Sequence, residues 1–317
     1  MFLNSLAEAK PGALFLAPPL EEIFPEAARS RQIRLFVLRL DKIHPQMGGN
    51  KYYKLLDSLQ VALAQNYRTL LTFGGAFSNH LYATAAAGKI FGLATLGLVR
   101  GEPVMPLNPT LAFAEKAGMQ LHYLDRATYR RKNEAGFIEA LRNQHGDFFL
   151  LPEGGTHPLA LGGTARIYQQ LPPEVDFVSL PVGTGGTMAG LMTALKNGQK
   201  VLGFAVLKNA GFLWGQMQLL LQQHFALVGQ TYPPSLSDWM KARATLLLDY
   251  HGGGYARVPP ALIDFCHQFE QEWQIPIEPV YSGKMFWGLW DLLQKGAFPE
   301  GSRIVALHTG GLQNKPA

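Results

Sequence analysis

Short, mostly apolar runs, alternating with longer helical patterns, restrict this chain more than any other feature. The runs are RLFVLRLD, TLLTFGG, ATLGLVRG, MQLHYLD, DFFLLPEGG, DFVSLPVGTGG, KVLGFAVLK and RIVALHTGG. A strand with one wet face alternates apolar and polar residues, whereas a continuous apolar run needs cover on both faces. Between the runs lie SNHLYATAAAGKIFG, FIEALRNQHG and MAGLMTALKNG, which carry apolar residues at helical spacing and stop at glycine. The alternation predicts an α/β protein with a mainly parallel sheet.

Four of the runs end in a glycine pair: Gly74-Gly75, Gly154-Gly155, Gly185-Gly186 and Gly310-Gly311. Any one pair could be a simple strand-exit turn. In open α/β sheets, however, ligands gather at the carboxyl ends of strands, and glycine there lets backbone approach them closely. Four such ends together predict a single polar site.

Composition narrows what that site could serve. The chain has 317 residues, enough for two domains and a large core without staples, and its net charge is only +5. The densest basic group, Arg130, Arg131 and Lys132, reads as a solvated helix face. Nothing here calls for nucleic acid, while a small anionic ligand suits the balance. The single cysteine, Cys266, lies on the apolar side of an expected helix and reads as core, so no disulfide framework or cysteine metal cluster forms. Glu8, Lys10, Pro11, Pro18 and Pro19 do not resemble a signal peptide, and the apolar stretches are too short for a membrane span. A cytoplasmic location is expected.

The segment DFVSLPVGTGGTMAGLMTALKNG predicts a strand to Val182, a turn Gly183-Thr184-Gly185-Gly186-Thr187, and a helix ending near Gly198. Such a turn offers backbone N–H groups to an anion, with the helix dipole assisting. A Walker A loop needs Gly-Lys-Ser/Thr, but Met188 follows Thr187. A dinucleotide fingerprint needs glycine at position 188 and an acidic residue about 20 positions on. No Asp or Glu occurs between Asp176 and Asp238. A lone terminal phosphate fits the loop better.

Upstream, MGGNKYYKLLDSL reads as the start of an amphipathic helix with Asn50 near its N-cap and Lys51 in its first turn. The helix dipole disfavours an ammonium there, so the Lys51 pKa should be depressed. A free amine beside a phosphate cradle suits pyridoxal phosphate, whose aldehyde condenses with lysine. In TFGGAFSNHLYATAAAG, Ser78 and Asn79 stand where a strand meets a helix. Either could merely cap the helix. As a functional pair, Asn79 would bond the cofactor's phenolic oxygen and Ser78 would face a substrate carboxylate. His80 could stack beside the ring or fill a core position.

GNKYYKL, GGAFSNH, PVGTGGTMAGL, EPVYSGKMFWGL and HTGGL, in this order over nearly the whole chain, resemble the D-cysteine desulfhydrase and 1-aminocyclopropane-1-carboxylate (ACC) deaminase family. The resemblance implies pyridoxal-phosphate fold type II, of the tryptophan-synthase-β kind, with open, mainly parallel sheets and helices on both faces. It implies two domains, a small insertion at 53–153 and a large cofactor-binding unit of 1–52 plus 154–317, and a homodimer. Lys51 would be the Schiff-base lysine and Asn79 the partner of the phenolic oxygen. Gly183, Thr184, Gly185, Gly186 and Thr187, helped by Lys54, would hold the phosphate. Ser78 would be a nucleophile or substrate contact. Tyr281 would act near the substrate amino group, and Tyr255 would be a second active-site tyrosine.

Three positions depart from the family pattern. Tyr53 replaces a common arginine, Phe77 a common glutamine, and Ser282 the glutamate that ACC deaminases tend to place against the pyridine nitrogen. A hydroxyl there leaves a weaker electron sink, sufficient when thiolate leaves Cβ but less suited to opening a cyclopropane. The expected activity is therefore α,β-elimination from a small amino acid, D-cysteine giving pyruvate, sulfide and ammonia, with Lys51 or the Tyr281 phenolate as base. ACC deamination to 2-oxobutanoate, elimination from D-serine or another β-substituted amino acid, and cofactor carriage without turnover are the alternatives.

Overall fold

The computed structural model describes residues 15–315, so Glu8, Lys10 and Pro11 of the segment read for a leader lie outside the described residues. Ten strands form two sheets among the described residues. The larger contains β1 (Leu20–Ile23), β2 (Arg34–Arg39), β7 (Phe177–Val182), β8 (Lys200–Ala205), β9 (Ala244–Leu247) and β10 (Arg303–His308). Its order is β1-β2-β10-β7-β8-β9, parallel throughout except for the antiparallel edge strand β1. The smaller contains β3 (Thr69–Gly75), β4 (Ala94–Arg100), β5 (Met119–Leu124) and β6 (Phe149–Leu151), all parallel in the order β5-β4-β3-β6.

All eight apolar runs are strands. The central ones obey the two-sided burial that predicted them: in β2, β7, β8 and β10 every residue after the first is buried. Helices cover both faces of the larger sheet, giving one core around Leu180, Met188 and Leu221 and another around Phe204, Phe286 and Leu289. Cys266 belongs to the second core, and burial pushes its thiol up to about 12. The five tryptophans pack, partly buried, against these cores.

Local chemistry sets where helices begin and end. The Asn79–Phe91 helix starts at Ser78, whose Oγ accepts from the amides of His80 and Leu81, and stops at Gly92 in the left-handed region. The Asn50–Ala64 helix starts one residue earlier than its sequence suggests, with Gly49 rather than Asn50 as N-cap. Gly49 has φ +75, and a Cβ there would lie 2.2 Å from the Thr309 carbonyl oxygen beyond β10. Only glycine lets these two chain segments cross so closely. The helix after the glycine turn ends at Ala194, short of Gly198, because Leu195 turns extended and its side chain is buried in the core.

Candidate active site

A cavity of about 410 Å³ opens where the carboxyl ends of both sheets face each other. Gly75 and Arg100 reach it from the ends of β3 and β4, Val182 and Gly183 from β7, and Thr309 from β10. Three of the four glycine pairs put a residue on its wall, namely Gly75, Gly154 and Gly185. The fourth, Gly310-Gly311, lines a small neighbouring cavity that shares Lys51, Asn79 and Thr309 with it.

Lys51 projects into the main cavity from the first turn of its helix, and its Nζ donates to Asn50 Oδ1 at 3.0 Å. Its pKa falls to about 8, as expected, but the main cause is burial rather than helix position, with the Glu278 carboxylate opposing the shift. One turn on, Lys54 is 3% exposed. Its Nζ donates to the Gly154 carbonyl at 2.9 Å, Thr156 Oγ1 at 2.8 Å and Thr184 Oγ1 at 3.2 Å. Burial and the neighbouring Lys51 push its pKa well down. A buried amine held by three neutral oxygens gains its charge most readily when an anion arrives.

The glycine turn lies against this lysine. Gly185 is in the left-handed region and Gly186 begins the helix. A Cβ at Gly186 would come 2.9 Å from Thr156 Oγ1 and 3.2 Å from Lys54 Nζ. Asn50 Nδ2 donates to Thr187 Oγ1 at 2.9 Å, tying the lysine-bearing helix to the turn. Helix-start N–H groups have no partner within the helix, so turn, helix end and Lys54 converge on one anion position.

Across the cavity, Asn79 Oδ1 accepts from Gln313 Nε2 at 2.7 Å. His80 is 1% exposed and packs so closely on Gly155 that a Cβ there would lie 2.8 Å from His80 Cε1. Burial and the charges of Lys51 and Lys54 keep the imidazole neutral, and neither ring nitrogen has a hydrogen-bond partner among the described residues. Orphaned polar atoms on a cavity wall suit an occupant with polar atoms of its own. Glycine cradle, buried lysine, depressed Lys51 and orphaned imidazole together fit a compact phosphate-bearing aldehyde such as pyridoxal phosphate.

Tyr281 and Tyr255 close the third side, with hydroxyls 3.4 Å apart and rings edge to face. Burial raises the pKa of both phenols, that of Tyr281 well above its ordinary value. A phenol raised in this way holds its proton. Of the two bases expected from sequence, Tyr281 is thus shifted towards its protonated form and Lys51 towards its free amine.

Two expected residues stand off the wall. Gly186 sits directly behind the turn, and Ser282 is wholly buried. Ser282 Oγ lies 3.2 Å from Glu278 Oε1. The Glu278 carboxylate also accepts from the amides of Val280 at 2.7 Å, Tyr281 at 2.9 Å and Ser282 at 2.7 Å. Burial pushes Glu278 up to about 7 against the pull of these hydrogen bonds. Tyr53 is buried in the core and Phe77 is 51% exposed, so neither lies on the cavity wall.

Sequence reasoning passed over Glu278, Thr156, Gln313, Arg100, Lys132 and Glu153. The first three act through folding contacts that no local pattern announces. Lys132 was grouped with Arg130 and Arg131 as solvated, yet it lines the cavity while both arginines are exposed. The Arg126–Arg130 helix ends there, and the following turn directs Lys132 inward.

The sequence pattern of the pyridoxal-phosphate dependent enzymes matches residues 19–310. A putative 1-aminocyclopropane-1-carboxylate deaminase of Pyrococcus abyssi is 28% identical over 301 residues, covering 92% of this chain and 88% of that protein. A D-cysteine desulfhydrase of Klebsiella pneumoniae (strain 342) is 28% identical over 325 residues, covering 98% of this chain and 97% of that protein. A crystal structure of an ACC deaminase homologue superposes with a TM-score of 0.82 at 26% identity, covering 95% of this chain and 91% of that one.

Proposed function

We propose that this chain, which belongs to the pyridoxal-phosphate dependent enzymes, is a lyase that deaminates a small amino acid by elimination across Cα–Cβ, with D-cysteine as the leading substrate. The observation that carries this reading is the position of Lys51. Its amine, lowered to about 8, shares one cavity with an anion cradle and a pair of protonated phenols.

Each residue then has a task. Gly183, Thr184, Gly185, Gly186 and Thr187 hold the phosphate with Lys54, and Asn79 bonds the phenolic oxygen. His80 would lie beside the ring, and the pyridine nitrogen would fall to Ser282, which sits off the cavity wall with its hydroxyl on Glu278. When bound, pyridoxal phosphate withdraws electrons from Cα, which eases loss of its proton and of the β-substituent. Ser78 and the helix start behind it orient the substrate carboxylate. Lys51 Nζ accepts the Cα proton, and the Tyr281–Tyr255 pair keeps a proton at hand for the departing or amino group. For D-cysteine and water the products are pyruvate, sulfide and ammonia.

The second reading is ACC deamination, favoured by Ser78 and both tyrosines sharing the cavity with Lys51 and by the similarity to a putative ACC deaminase. Ser282 in place of a glutamate favours desulfhydration, because a hydroxyl leaves a weaker electron sink. Residues 53–153 form the smaller domain of this enzyme, and 1–52 with 154–317 the larger. It works as a cytoplasmic homodimer. The exposed apolar residues Leu219, Leu227 and Val228 on and just beyond the Phe212–Leu227 helix offer a pairing surface, and no helix among the described residues is long and apolar enough to cross a membrane.

The test is keto-acid release by the cofactor-loaded protein. Pyruvate and sulfide from D-cysteine are expected. 2-Oxobutanoate from ACC with no pyruvate from D-cysteine would transfer the assignment to the second reading, and inactivity on both would refute the two together.

A further inference from the structure

Charge inside the cavity exceeds what the cofactor and one carboxylate can use. Its charged lining residues are Lys51, Lys54, Arg100, Lys132 and Glu153. On the reading above, Lys54 serves the phosphate and Lys51 the aldehyde, while the α-carboxylate lies at Ser78. Two cations and one carboxylate are left over, all from the side of the smaller sheet.

These three are organised around one buried ring. Tyr129 is 2% exposed, and its hydroxyl donates to Glu153 Oε1 at 2.9 Å. The Arg100 guanidinium lies 5.8 Å and Lys132 Nζ 5.1 Å from the centre of that ring. Glu153 is further occupied by Lys132, 3.4 Å away. Arg100 has no carboxylate within ion-pair distance among the described residues. Its guanidinium stands over the turn that leads to Ser78, since a Cβ on Gly75 would lie 3.6 Å from Arg100 Nη2. The charges of Arg100 and Glu153 also reach Tyr255. The surplus cations thus lie between the start of the Asn79–Phe91 helix and the tyrosine pair. An aromatic platform holds a guanidinium in place without neutralising it, leaving its planar fork free for a bidentate oxyanion.

We propose that Arg100 and Lys132 form a recognition site for a second anionic group, so that the lyase also accepts small amino acids whose side chain carries a carboxylate or a phosphate ester, in preference to their uncharged counterparts. The inference rests on the lyase reading, and names its substrate class. O-Phosphoserine is a suitable probe. Its Cα proton passes to Lys51 Nζ, the Cβ–O bond breaks with its electron pair leaving on phosphate, and water converts the released enamine to pyruvate and ammonia. No oxidant or reductant is needed.

The experiment compares kcat/KM for O-phosphoserine and serine, each as both enantiomers, in the holoenzyme and in Arg100→Gln/Lys132→Gln. Wild type should prefer the phosphorylated substrate, and the preference should fall about 100-fold in the variant, mostly through KM. Arg100→Lys should retain part of it. Equal preference in both proteins overturns the inference while leaving the lyase reading intact. Should neither compound be turned over, the lyase reading fails for these substrates, and a binding measurement decides the inference separately. Aspartate, unlike alanine, should then raise the Tm of the wild-type holoenzyme but not of the variant. Identical shifts overturn the proposal. Retention of the cofactor's visible absorbance shows that the variant is folded.

Discussion

The two ends of the cavity are built on opposite plans. At the cradle end the polar groups are already bonded to one another: Lys54 to three oxygens, Asn50 to Thr187, and Thr156 to Thr184 at 2.5 Å. At the Arg100 end a cation is exposed, Lys132 and Glu153 are half-buried, and Tyr129 is the one rigid member. A closed network fixes a position before the ligand arrives and suits a group that never changes. A looser cluster suits a group that comes and goes with each turnover. On the proposed reading, the closed end is the cofactor's and the looser end the substrate's.

Lys51→Ala, between the two ends, should have the largest effect. Turnover should drop at least about 1,000-fold, with the visible absorbance lost, since base and aldehyde partner disappear together. Phosphate should still bind the variant, as a competition measurement with inorganic phosphate would show. Lys54→Met probes the closed end. The variant strands Thr156, Thr184 and the Gly154 carbonyl and removes the cation, so the cofactor Kd should rise about 100-fold by equilibrium titration. A change below threefold would mean that the turn alone holds the anion.

Glu278 lies behind the Tyr281 side of the cavity, bonded to residues 280 to 282, and its signature is pH dependence. Its folded pKa is raised from 4.5 to about 7, so the ionised form is disfavoured by folding. Stability is fully present below the unfolded pKa and is lost as pH rises towards 7, by about 3 kcal/mol. Urea unfolding at pH 5 and pH 7.5 should show this loss in wild type. In Glu278→Gln the component should vanish, even though the substitution lowers stability overall by disturbing four hydrogen bonds. Equal pH slopes would show that the carboxylate stays ionised throughout. The smallest effect is expected at the open end. Glu153→Gln breaks a half-exposed pair with Lys132 and should change unfolding free energy by less than about 1 kcal/mol. A larger loss would make that end as rigid as the other.

Much of this was legible beforehand, for identifiable reasons. The eight apolar runs became strands, and in β2, β7, β8 and β10 the two-sided burial behind that pattern is complete after the first residue. The missed strands, β1 with LEEI and β9 with ATLL, are four-residue edges too short to show a period. The glycine turn was legible because its requirement is local: left-handed backbone at Gly185 followed by a helix start. Lys51 does line the cavity with a lowered pKa, but the sequence supplied only part of the reason. Its helix position is written in the sequence, but the burial that chiefly lowers its pKa is made by other segments.

The sequence by itself determined the alternation of elements, the strand ends at which a site could form, and the residue types that could carry the chemistry. These depend on backbone geometry and periodicity, which neighbours in the chain set. Only the tertiary structure decided that Tyr281 keeps its proton, that Glu278 grips the amides of residues 280 to 282, and that Lys132 turns inward beside Arg100. Those outcomes depend on desolvation and on electrostatic contacts across up to 100 or more residues of chain, as between Lys54 and Thr184, and such contacts exist only once the two sheets face each other.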